Sequence, residues 1–130
     1  MPADPASRAR VTAWMFAAMN SIEPFVQNLT LIDFAYSQEE WAKLRRPGAL
    51  EFLQRRLQDL ATALGSRSYL EGDRFTAADI LMTTVLRILR HTDTVAKIPV
   101  LERYRLRCES RPAFQRALAA QMAVFARNAA

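Results

Sequence analysis

Apolar residues recur at spacings of three and four along nearly the whole chain, and no stretch alternates with the period of two that a half-buried strand requires. A chain patterned in this way buries its apolar stripes by packing helix on helix. Three glycines in 130 residues are too few for a fold of many tight turns. The expectation is an all-α fold, a helical bundle of about five to six helices forming a single domain over residues 1–130.

The stripes place the helices. Val11, Met15, Ala18, Ile22 and Val26 form one row, with Trp14, Ala17, Ser21 and Phe25 beside it, so a first helix is expected from about Ala6 to Leu31. Pro24 lies inside it and predicts a kink. Asp33 to Pro47 reads as a connector, with a capping-box spacing at Ser37-Gln38-Glu39-Glu40 that would open a short helix. Arg46-Pro47-Gly48 reads as a turn. Leu50, Leu53, Leu57, Leu60 and Leu64 then define a helix closed by Gly65. After a loop around Tyr69-Leu70-Glu71-Gly72-Asp73, the segment Phe75-Thr76-Ala77-Ala78-Asp79-Ile80 carries the sharpest local signal. Thr76 and Asp79 have the spacing of a capping box, and Phe75 and Ile80 that of a hydrophobic staple. The helix they open is apolar on every side as far as Arg87, which predicts a place in the middle of the bundle. Pro99 starts a helix with Leu101, Tyr104 and Cys108 on one face. Pro112 starts the last, with Phe114, Leu118, Met122 and Phe125 as its expected buried stripe.

Composition removes several function classes. Hydrophobic residues make up 51% and charged residues 24%, as in a globular protein. No apolar run approaches the length of about 18 residues that a membrane span needs, so no membrane partner is expected. One cysteine and one histidine leave no internal disulfide and no Cys/His zinc site, and no metal is expected. The N-terminus has no basic stretch followed by an apolar one, so the expected location is the cytoplasm. The net charge is +5, but the 18 basic residues are nearly all arginine, scattered from Arg8 to Arg127 and interleaved with acids and Gln. That pattern reads as a solvated helix surface, not a phosphate track, and no nucleic-acid partner is expected.

No motif carries chemistry by itself, and no catalytic residue is assigned. His91 falls just after an apolar helix and suits the negative end of its dipole. Cys108 shares a stripe with Leu101 and Tyr104 and reads as core. Glu39 and Glu40 are adjacent, so on a helix they diverge. Asp79 is accounted for by capping.

Four motifs in order resemble the C-terminal helical domain of glutathione transferases, in particular bacterial members. They are the opening from Pro2 to Val11; Trp14 followed by Glu23-Pro24; Tyr69-Leu70-Glu71-Gly72 ahead of Phe75-Thr76-Ala77-Ala78-Asp79-Ile80; and Tyr104…Arg107…Arg111-Pro112-Ala113-Phe114. The resemblance covers essentially the whole chain, with residues 1–6 as the remnant of an interdomain linker. It implies that an N-terminal thioredoxin-like domain, absent here, binds the co-substrate glutathione and activates its thiol. No cofactor is then held by this chain, and it is inactive alone. The part it implies for this chain is the wall of the apolar electrophile pocket, at Met15, Ala18, Met19 and Ile22, with Asn20 and Glu23 near the cleft. It also implies a homodimer, with Trp14, Met15, Met19, Ile22 and Phe25 at the borders. The alternative reading is a stand-alone, non-catalytic protein-interaction module of the same fold.

Overall fold

The computed structural model describes residues 1–128, and they are all-α. The elements are α1 (Pro5–Phe16), a π-helical segment (Ala17–Ile22), α2 (Glu23–Phe34), α3 (Glu40–Leu64), α4 (Ala77–Ile88), a 3-10 turn (Leu89–His91), α5 (Pro99–Glu109) and α6 (Pro112–Asn128). No described helix is long and apolar enough to cross a membrane.

α1, the π segment and α2 run on as one long rod. Asp4 caps it by accepting from the Ser7 amide at 2.7 Å, and Pro5 sits in the first turn, where a missing N–H costs nothing. The widened turn comes immediately before Pro24. Proline cannot donate to the carbonyl four residues back, and its ring crowds that carbonyl. The extra residue relieves both, and the Glu23 amide bonds instead to the Ala18 carbonyl, five residues back.

α3 departs from the sequence expectation. Arg46-Pro47-Gly48 is not a turn but the interior of a 25-residue helix, and the capping box at Ser37 does not open it, since the helix begins at Glu40 with no side-chain cap. Tertiary pairing overrides the two weak helix formers. Arg46 grips Asp33 of α2 at 2.6 and 3.2 Å, and Ala42 and Ala49 bury against Ile32 on either side of Pro47. The helix stops at Gly65, whose φ of 57° suits glycine.

α4 is the centre of the bundle, packed against α1, the π segment, α2 and α5. Its residues Ala78, Met82, Val85 and Leu86 join Val11, Val26, Leu53, Leu57, Leu101 and Tyr104 in the main core. α4 is not covered all round, however: Ile80 is 55% exposed and Thr84 is exposed. The expected buried stripe of α6 is a second correction. No residue of α6 is buried, Phe114 and Leu118 are half-covered, and Met122 and Phe125 face solvent. α6 packs chiefly on α5 and overhangs a groove of about 690 Å³ against α2 and α4, so its apolar row borders open space.

Two measurements check this account. An added Cβ at Gly48 would meet nothing within 4 Å, so Gly48→Ala should raise stability by about 1 kcal/mol in urea unfolding. Burial pushes the Asp33 carboxyl up, but the hydrogen bonds from Arg46 and His91 outweigh it and hold the group below its ordinary 3.8. A depressed carboxylate stabilises the fold above its unfolded pKa and stops doing so as pH falls through the folded one. Asp33→Asn should therefore destabilise at neutral pH, and the difference from wild type should vanish on acidification below 3.8.

Candidate functional site

The polar centre of the molecule is Asp79, wholly buried at the start of α4. One carboxylate oxygen accepts from the Thr76 amide at 2.8 Å and the Thr76 hydroxyl at 3.1 Å. The other accepts from the Leu70 amide at 2.9 Å and the Tyr104 hydroxyl at 3.0 Å. A buried carboxylate is tolerable only when its lone pairs are filled, and here four donors from three segments fill them. Burial first, and then the Asp79 charge, push the Tyr104 phenol far above its ordinary range, so it stays a donor. Phe75 packs edge-on against Tyr69 at 5.4 Å, and the Arg111 guanidinium covers its ring at 3.7 Å. The exposed Ile80 adds little to a staple.

Cys108 is buried, and that burial raises its thiol pKa, which makes it a poor nucleophile. His91 lies on the 3-10 turn, with Nδ1 3.1 Å from the Ile88 carbonyl and Nε2 3.1 Å from Asp33, and its ring meets Phe34 edge-on. Nδ1 thus meets the end of α4, and Nε2 ties the turn to α2. Among the described residues, no group of three or more His, Cys, Asp or Glu is placed to hold a metal ion.

The residues expected in a substrate wall lie on the π segment and beside it, Met15 in the last turn of α1 and Glu23 at the start of α2, but they divide. Ala18 and Ile22 are core residues, at 0% and 5% exposure. Met15 and Glu23 are half-buried, while Met19 and Asn20 face solvent. Phe16, one turn before Met19 and 63% exposed, joins them, and sequence reading missed it. The signal was present as an apolar residue off both stripes. Of the residues expected at a subunit border, Ile22 is core, and Trp14, Met15 and Phe25 lean on the core, which leaves Met19 as the open one. A π turn in an α-helix costs regular hydrogen bonding and is frequent at functional sites. Here it sets Phe16, Met19 and Asn20 on an open face beside a rigid core.

These features define an all-helical domain organised around a capped central helix. The sequence profile described as "Glutathione S-transferase, C-terminal domain" matches residues 13–112, and the chain belongs to that family. Among solved structures it is similar to a glutathione transferase from Burkholderia graminis, crystallised with two glutathione molecules bound per subunit. The identity is 27% and the TM-score 0.82, over 91% of this chain and 52% of that one. It also shares its fold with glutathione transferase F7 from Populus trichocarpa, at 19% identity and a TM-score of 0.75, over 90% of this chain and 57% of that one. The chain thus spans little more than half the length of either. Comparison with curated proteins finds no match.

The network around Asp79 makes a sharp expectation. Asp79→Ala strips four donors of their acceptor and should cost about 3 kcal/mol or more. Tyr104→Phe, which leaves three donors in place, should cost about 1 kcal/mol. Urea unfolding of the two variants measures both.

Proposed function

We propose that this chain is the helical half of a glutathione transferase and forms the apolar wall of its electrophile pocket. The observation that carries this reading is the π segment, whose extra residue presents Phe16 and Met19 beside Asn20 and Glu23 within a domain of this family. A glutathione thiol that adds to an electrophile, or reduces one, needs a tolerant apolar surface on the substrate side. Methionine, unbranched and polarizable, provides one, and a neighbouring phenylalanine adds area. Glutathione itself would be held and its thiol polarised by a thioredoxin-like domain packed against this one. The assembled protein would be a cytoplasmic homodimer, and this half alone would not turn over substrate.

Two tests follow. Titration of this chain with millimolar glutathione in a calorimeter should give no saturable heat. Saturable binding would mean that the co-substrate site is here. In a protein carrying both halves, Met19→Asp should raise KM for an apolar electrophile about tenfold and leave KM for glutathione unchanged. Equal effects on both substrates would move the wall elsewhere.

A further inference from the structure

The network at Asp79 leaves one polar group of the core without a role. Thr83 stands one turn further along α4, only 2% exposed, and its hydroxyl oxygen has no hydrogen-bond partner among the described residues. An unpaired buried hydroxyl destabilises a fold, so its place calls for an explanation. Thr83 lines a cavity of about 190 Å³ between α4, α5 and α6. Asp79, Thr83 and Cys108 are buried and form the floor. Asp79 already accepts from four donors, which leaves the Thr83 hydroxyl as the open hydrogen-bonding group there. Phe75, Phe114 and Arg111 form the walls, with the Arg111 guanidinium lying over the Phe75 ring. Ile80, Ala113 and Ala117 are exposed and mark the mouth.

We infer that this cavity binds a small, neutral aromatic alcohol of the class of phenol, with its ring between the walls and its hydroxyl on Thr83. Size sets the first limit. Apolar cavities of about 150 Å³ accept a benzene ring, so a single substituted ring fits here. The lining sets the second. Phe75 and Phe114 offer ring contacts, Cys108 a polarizable sulfur, and Arg111 a planar cation beside the ring. A water molecule needs two or more polar partners, and one open hydroxyl in a largely apolar lining holds it poorly. Charge sets the third. A carboxylate on the floor would face the buried charge of Asp79, and an ammonium group would face Arg111, so a neutral polar group is selected. The hydroxyl of a phenol can donate to Thr83 or accept from it. None of the lining residues belongs to α1, the π segment or α2, so this site is separate from the wall proposed above.

Titration of this chain with phenol, and with toluene, which has a similar outline without the hydroxyl, tests the inference. Followed by amide NMR shifts, both should saturate in the millimolar range, with the shifts gathered at Thr83, Cys108 and Ala117. Thr83→Val keeps the shape of the side chain and removes its hydroxyl. It should weaken phenol about tenfold, leave toluene as tight or tighter, and not lower the melting temperature, since an unpaired group is lost. Ala117→Phe, at the exposed mouth, should block both compounds with the helical circular dichroism unchanged. Absence of saturable phenol binding to the folded chain would overturn the inference, as would shifts scattered over the surface. So would Thr83→Val binding phenol as the parent does or losing both compounds alike, or undiminished binding to Ala117→Phe. None of these outcomes depends on glutathione.

Discussion

One buried carboxylate holds the bundle together. Asp79 joins the loop at Leu70, the cap at Thr76 and helix α5 at Tyr104, none of which is otherwise fixed to the others by backbone pairing. An ion in that position without donors would be strongly disfavoured, so the carboxylate and the three segments stabilise one another. That requirement makes the start of α4 a specificity device. The apolar faces of α1, α4 and α5 would pack tolerably in several registers, but only one of them supplies four donors to one carboxylate.

The same economy of polar groups explains the long rod ahead of it. Pro24 forbids one backbone bond, and the chain answers with a π turn instead of a break, so α1 runs on into α2 and both pack on α4. The extra residue rotates the register by about 100°. Ala18 and Ile22 stay in the core on either side of it, and Met19 and Asn20 swing outward. The open apolar face is thus a by-product of accommodating a proline inside a helix that must stay continuous.

Much of this was legible in the sequence, for identifiable reasons. The capping motif at Thr76 and Asp79 is local chemistry, and the leucine repeat from Leu50 to Leu64 is strict, so both could be read without the structure. The π turn could not be, because apolar rows three and four apart look the same with one residue inserted between them. Pro47 was misread because propensity favours a break there, and the bond from Arg46 to Asp33 that outweighs it joins two helices and residues 13 apart in the sequence. Phe114, Leu118, Met122 and Phe125 show that α6 has an apolar side. Periodicity records that a side is greasy but says nothing about which partner covers it. Ala18 and Ile22 are buried for a related reason, since an apolar row on a helix with neighbours on two sides serves both.

The basic excess has a physical account in the same terms. Arg111 lies over Phe75, Arg87 over Phe114 at 4.8 Å, and Arg56 over Phe25 at 5.2 Å. In each case a planar, weakly hydrated cation covers an aromatic ring at the edge of the core and keeps its own charge in water. Lysine, compact and strongly hydrated, would do this less well, which fits a chain whose cations are nearly all arginine. Others, such as Arg46 and Arg105, are tied to carboxylates at close range. Arginines divided between ring faces and carboxylates are distributed around the bundle by the positions of those partners.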